Sequence, residues 1–193
     1  MLDSRFIYLA ATITLVGILV YAYGTLQGKT KPNRVTWILW TVIPLITFSA
    51  QVSKDVGISS LFSLAYAVGP LLVVIASFAN KHAYWKLTTF DFICGGISVL
   101  AIILWLITGD GTVAIVLSIL ADFAAGLPTL RKGFIDPKSE NISAYVTGII
   151  SAGITLLTIQ HWNLATISFP IYILLDSLLI VLTIKLFSKL RKN

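Results

Sequence analysis

Apolar positions run almost unbroken along this chain, in stretches of about 18 to 20 residues, the length a helix needs to cross a hydrocarbon core of about 30 Å. Short polar segments punctuate them, and the pattern predicts seven helices near 5–24, 35–53, 58–79, 89–108, 112–131, 142–160 and 164–187. The first run, Phe6 to Tyr23, is followed by Lys29, Lys31 and Arg34 rather than by a small-residue cleavage site, so it reads as a retained helix. Over 193 residues the chain is 57% hydrophobic and 11% charged, where an ordinary soluble domain carries roughly a quarter charged residues. The prediction is an all-α integral membrane protein with no room for a soluble domain.

Charge adds an orientation. Positively charged residues collect on the cytoplasmic side of a membrane protein. With the N-terminus outside, the cytoplasmic segments hold Lys29, Lys31, Arg34, Lys81, Lys86, Arg131, Lys132, Lys138, Lys185, Lys189, Arg191 and Lys192, which is twelve of the fourteen Lys and Arg. Arg5 and Lys54 alone fall on the other side. Seven spans, N-out and C-in, preserve that alternation. The net charge of +6 is then accounted for by topology and by attraction to anionic lipid. No basic patch interleaved with exposed aromatics points to nucleic acid. The setting is a multi-pass protein of the cell membrane, most simply a bacterial inner or plasma membrane.

The chain also repeats itself. "YGTLQGKTKPNRVTW" closes the first span and "LPTLRKGFIDPKSENISAY" closes the fifth. Each holds a Thr-Leu pair (Thr25-Leu26, Thr129-Leu130), then basic residues, then a proline (Pro32, Pro137), then an aromatic early in the next helix (Trp37, Tyr145). The third helices match as "GPLLVV" and "DSLLIV". Two three-helix units, residues 1–88 and 111–193, joined by a linking helix in 89–110, are the economical reading. A single linking helix gives both units the same orientation, so they are parallel repeats about an axis along the membrane normal. Transporters use this 3+1+3 plan, with the solute site near the midplane between the halves.

The arrangement resembles the PQ-loop superfamily, which includes the sugar-permeating SWEET proteins and lysosomal amino-acid exporters. Its signature is a Pro-Gln dipeptide in the first helix of each repeat, followed by a short basic loop with a Lys-Ser element. Here Pro128-Thr129 and Gly24-Thr25 occupy the dipeptide positions, and Lys138-Ser139 matches the Lys-Ser element. Neither repeat holds a literal Pro-Gln, and the whole chain is most similar to small bacterial-type members. The resemblance implies alternating-access transport of a small polar solute, either a sugar, an amino acid or a nucleoside-like molecule. It also implies that Pro128, with Pro44, Pro170 and Pro70 as further candidates, acts as a hinge.

Specific residues sharpen this expectation. Ser118, Asp122, Ala125 or Gly126, and Thr129 recur at helical spacing and share one face. A carboxylate at helix centre costs about 2.5–3.5 kcal/mol on insertion, so that face points into the bundle. Asp176 lies at a similar depth in the seventh helix, and the pair is a candidate for proton coupling; the alternative is two aspartates that merely hold helices together. Tyr172, one turn before Asp176, would hydrogen-bond it or stack on solute. Trp40, Tyr145, Tyr172 and Gln51 are the candidate solute contacts. The aspartates tilt the reading toward a coupled carrier or a carrier of cations.

The remaining features read more plainly. Trp37, Trp85, Trp105 and Trp162 are expected in the interfacial aromatic belt, and Asn33 and Asn141 as N-caps. The charges at Asp136 to Glu140 would pair with Arg131 or Lys132 as a surface loop cluster of small energetic weight. Gly95 and Gly96 are expected at close helix contacts. Cys94 is the sole cysteine, so it has no internal disulfide partner. His82 and His161 fall on opposite sides, and no metal site or cofactor motif is expected. No nucleophile elbow or phosphate loop points to an enzyme. Membrane lipid and a small solute are the expected partners, a homo-oligomer is left open, and the rival reading is a receptor or assembly protein on the same scaffold.

Overall fold

The computed structural model describes residues 2–108 and 110–190; Arg191, Lys192 and the side chain of Trp105 lie outside the described residues. Seven α-helices account for most of it: α1 Phe6–Leu26, α2 Arg34–Ser53, α3 Leu61–Ala79, α4 Thr89–Thr108, α5 Gly111–Ile135, α6 Ser143–Thr158 and α7 Leu164–Leu190. Short 3-10 turns precede α3 and α6. Six of the helices are long and apolar enough to cross a membrane, taking α3 with its leading turn. The exception is α6, whose 16 residues extend about 24 Å at 1.5 Å per residue.

Six helices close a ring in the order α1, α3, α2, α5, α7, α6 and back to α1, while α4 packs on α5 and more lightly on α2 from outside. Successive helices run in opposite directions. At one end, rich in Lys and Arg, Asn80 at the close of α3 donates to the Leu26 carbonyl at 2.8 Å and Asn33 donates to Asp91 at 2.7 Å. At the other, Gln51 reaches the Ala165 carbonyl at 3.1 Å and the Leu2 N–H donates to the Leu157 carbonyl at 2.8 Å. Outward faces are apolar throughout, as Leu175, Leu179, Leu182 and Leu186 of α7 illustrate. Such a surface is stable in lipid and a liability in water.

Two seams of the ring are built from small and hydroxylated residues. Along α2 and α5, Thr36 donates to the Ala125 carbonyl at 2.7 Å, and the Thr47 and Ser118 hydroxyls lie 2.7 Å apart. Along α1 and α6, Thr14 donates to Ser151 at 2.9 Å and Ser143 donates to the Gly17 carbonyl at 3.0 Å. Gly17 is obligatory there. A Cβ at that position would sit 1.8 Å from Thr147 Oγ1 and 2.7 Å from its Cβ. Where helices meet without a hydrophobic drive between them, close approach and hydrogen bonds of this kind supply the cohesion.

Helix ends differ from the expected ones where a polar group is internal rather than exposed. α5 continues to Ile135, four residues past 131, because Lys132 is fully buried and belongs to the helix interior. α6 is shorter than 142–160 because the segment before it enters the bundle as irregular chain, with Pro137 and Ser139 buried. Asn33 caps α2 as expected, accepting from the N–H groups of Val35 and Thr36. Asn141 does not cap α6. Ile142 occupies that position, and Asn141 instead accepts from the Ser143 N–H at 2.9 Å. Gly95 packs against Val35 Cγ1, whereas nothing approaches Gly96 within 4 Å.

Candidate functional site

The polar face expected on α5 points inward: Ser118, Asp122, Ala125 and Thr129 are all buried. Asp122 is 2% exposed and Asp176 7%. They line one cavity with Trp37, Trp40, Tyr66, Tyr145 and Ser177, and with Pro44 and Pro70, each inside its own helix. Gly126, one turn after Asp122, brings α5 close to α2 and α7. A Cβ there would meet Trp40 Cζ2 at 3.2 Å and Asp176 Oδ1 at 3.8 Å. Asp176 also reaches the wall of a lateral groove between α5 and α7.

Tyr172 does not bond Asp176, the neighbour on its own helix. Its hydroxyl donates across to Asp122 Oδ2 at 2.6 Å, and Trp40 Nε1 donates to the Asp122 carbonyl at 3.2 Å. Oδ1 of Asp122 and Oδ1 of Asp176 have no hydrogen-bond partner among the described residues. The cavity holds about 40 Å³ of water-accessible space. A water needs roughly 10–15 Å³ by this measure, so a few waters or one very small solute fit.

Aromatic clusters flank the cavity toward each end of the ring. Toward the basic end, Tyr21, Trp37, Trp40 and Tyr145 form a four-ring cluster with centroids 4.5–6.3 Å apart. Toward the opposite end, Phe62, Tyr66, Phe169 and Tyr172 form a second, at 4.9–6.2 Å. Trp37 is therefore not a belt residue. It is 2% exposed and sits between Tyr21 and Trp40, because the face of α2 it shares with Trp40 turns into the ring. Trp162 is exposed as a belt residue would be, while Trp85 is half-buried with its ring 5.5 Å from the Lys132 ammonium.

Beyond the first cluster lies the loop ion pair that the charges foretold, but buried where a surface cluster was expected. Lys132 Nζ and Glu140 Oε1 are 2.7 Å apart with both side chains fully buried, not a surface pair. Glu140 Oε2 accepts from Tyr21 at 2.8 Å and from Tyr145 at 3.4 Å. Lys132 also donates to the carbonyls of Lys31 and Ser139, and the Lys31 N–H donates to the Ser139 carbonyl at 3.0 Å. The α1–α2 and α5–α6 loops are thus tied together around one ion pair. Satisfying the freed backbone in this way is what allows irregular chain inside a bundle. An open groove lined by Lys29, Lys138, Lys185 and Lys189 lies outside it.

Other expected residues fall in various places. Trp40 and Tyr145 line the cavity, but Gln51 does not: its amide is held between Ser63, at 2.6 Å, and the Ala165 carbonyl. Pro128 and Pro170 are buried inside α5 and α7. Of the loop-motif positions, Gly24, Thr25, Thr129 and Ser139 are buried and Lys138 is exposed. Tyr66 and Ser177, which sequence reasoning did not single out, join the lining; their spacing differs in no way from that of ordinary packing residues. The chain matches no family model, no curated protein and no solved structure. The site must be read from its own chemistry.

Proposed function

We propose that this protein is a membrane transporter of a small polar solute, working by alternating access around the Asp122–Asp176 cavity. The observation that carries the reading is a small cavity inside a helical ring, holding two buried carboxylates and flanked by aromatic clusters toward both ends. Intramembrane ionisable groups facing a cavity mark solute and ion pathways. The ring order supports a 3+1+3 plan, because α1, α3, α2 is followed by α5, α7, α6 with α4 outside. Two parallel repeats would produce that order, with the hydroxyl-rich α2–α5 and α1–α6 seams as equivalent contacts between them. The basic end is the cytoplasmic side in this reading, which draws further support from the likeness of Gly24-Thr25, Pro128-Thr129 and Lys138-Ser139 to the loop motifs of PQ-loop and SWEET-like transporters. The setting is the cell membrane.

Asp122 and Asp176 carry the proton or cation dependence, facing Tyr172 on their own side, Tyr66 from α3 and Tyr145 from α6, with no Lys, Arg or His in the lining. Trp37, Trp40, Tyr66 and Tyr145 form the aromatic walls, while Tyr172, expected as a solute contact, stands outside the lining and holds Asp122. Pro44, Pro70, Pro128 and Pro170 each remove a backbone donor from a helix that must bend when one end opens. Uptake into proteoliposomes tests the reading, with sugars, amino acids and nucleosides screened with and without an inward-acid gradient. Gradient-driven accumulation lost in Asp122→Asn is expected. No flux of any solute through a folded preparation would shift the assignment to a receptor or assembly protein.

A further inference from the structure

Four carboxylates among the described residues are buried: Asp91, Asp122, Glu140 and Asp176. The fold treats them in two ways. Asp91 accepts from Asn33 on one oxygen and from the Thr88 hydroxyl and N–H on the other. Glu140 accepts from Lys132 on one oxygen and from two tyrosines on the other. Asp122 and Asp176, by contrast, each leave Oδ1 without a partner, and both line the same cavity. Where this chain buries an acid for structure it supplies donors on both oxygens, so the vacancies at these two are specific to the cavity.

We propose that the occupant of this cavity is an organic cation, bound through a primary ammonium group that donates to Oδ1 of Asp122 and Oδ1 of Asp176. The inference rests on the transporter reading and names its substrate class. A neutral polyol would hydrogen-bond the two oxygens but leave an ionised carboxylate uncompensated in a largely desolvated site, where a buried unpaired charge is costly. An anion would add to the burden. An ammonium supplies donors and one positive charge together, balancing one carboxylate while the other carboxyl keeps its proton, and charge-assisted hydrogen bonds of this kind are about twice as strong as neutral ones. The walls agree, since Trp37, Trp40, Tyr66 and Tyr145 make the lining aromatic, a surrounding that suits cations, and among the described residues no Lys, Arg or His lines the cavity; its unpartnered donors, Trp37 Nε1 and the Tyr66 hydroxyl, are neutral. Size agrees as well, because about 40 Å³ of free space accepts an ammonium head group while excluding a hexose.

Intrinsic fluorescence gives a direct readout, because Trp37 and Trp40 stand in the cavity wall. The full chain in nanodiscs would be titrated with methylammonium chloride in a constant potassium chloride background, with glucose and potassium acetate as neutral and anionic comparisons. A saturable change with methylammonium only is expected. Asp176→Asn and Asp122→Asn, each matched to wild type in thermal melting, should weaken it at least tenfold; if either fails to fold, the other carries the test. Equal or tighter saturable binding of glucose, undiminished in the folded variants, would overturn the cation assignment while leaving transport standing. Displacement of methylammonium by potassium at equal concentration would overturn it in favour of a metal-cation site. Methylammonium binding without flux in proteoliposomes would uphold the site and overturn the transporter reading.

Discussion

The Tyr172 hydroxyl donates to Asp122 Oδ2 at 2.6 Å, joining α7 to α5 across the cavity wall. Removing the hydroxyl in Tyr172→Phe leaves a buried carboxyl group without the one side-chain donor it has among the described residues. Hydrogen bonds to charged groups contribute about 1.5–3 kcal/mol. Lower thermal stability and an approximately tenfold loss of flux are expected, measured by melting in detergent and by proteoliposome uptake. Asp122→Asn keeps an acceptor for Tyr172 and should melt near wild type while losing flux, which separates the bond from the charge.

Lys132 and Glu140 should behave as a unit. Breaking a fully buried pair leaves one uncompensated charge and costs about 3–5 kcal/mol. Lys132→Met and Glu140→Gln are each expected to be strongly destabilised, and the double variant to recover most of the loss. A double-mutant cycle on chemical denaturation measures this directly. Additive single effects would show the two side chains to be energetically independent despite their 2.7 Å separation.

The α1–α6 seam has its own test at Gly17, where a Cβ would fall within 2.7 Å of three Thr147 side-chain atoms. Overpacking of this sort costs about 1–3 kcal/mol. Gly17→Ala should lower the melting temperature, and Thr147→Ala in the same chain should restore only part of it, because the Thr147 Cβ, 2.7 Å from the added methyl, remains.

Gly126 offers a gentler perturbation. An added methyl would press on Trp40 at 3.2 Å and move the indole into the cavity. Gly126→Ala is expected to fold and to raise KM for transport several-fold with little change in kcat. A change in kcat alone would argue that the cavity wall is not where solute binds.

Gln51 supplies the contrast. Its amide bridges Ser63 and Ala165 away from the cavity, so Gln51→Ala should destabilise by roughly 1–3 kcal/mol and leave solute affinity unchanged in the surviving folded protein.

How much of this could be read beforehand depended on the kind of signal. Helices announce themselves through length and apolarity, so their number and approximate positions were legible. The inward face at Ser118, Asp122 and Thr129 was legible too, since a carboxylate flanked by small residues at helical spacing has nowhere else to point. The burial of Lys132 and Glu140 was not. A lysine next to an arginine at a span end, followed by a charged loop, looks like solvated punctuation, and only the inward path of residues 136–142 converts it to a buried pair. Trp37 misled in the same way: closeness to a helix end suggested the interface, while the face it shares with Trp40 buried it. Gln51 was polar, intramembrane and on a promising face, yet depth along the helix separated it from the cavity. Sequence spacing gives the angle around a helix well and the level along the bundle poorly.

The two hydroxyl-lined seams carry a consequence for how such a ring would breathe. Thr36, Thr47 and Ser118 on one side, and Thr14, Ser143 and Ser151 on the other, add single oxygen contacts to the apolar packing between their helices. A water-mediated hydrogen bond is nearly as good enthalpically as a direct one. Each of these contacts can therefore be exchanged for water one at a time, without opening an apolar void at any step. The seams are built less like welds than like a line of press-studs, able to part from one end while the other stays fastened.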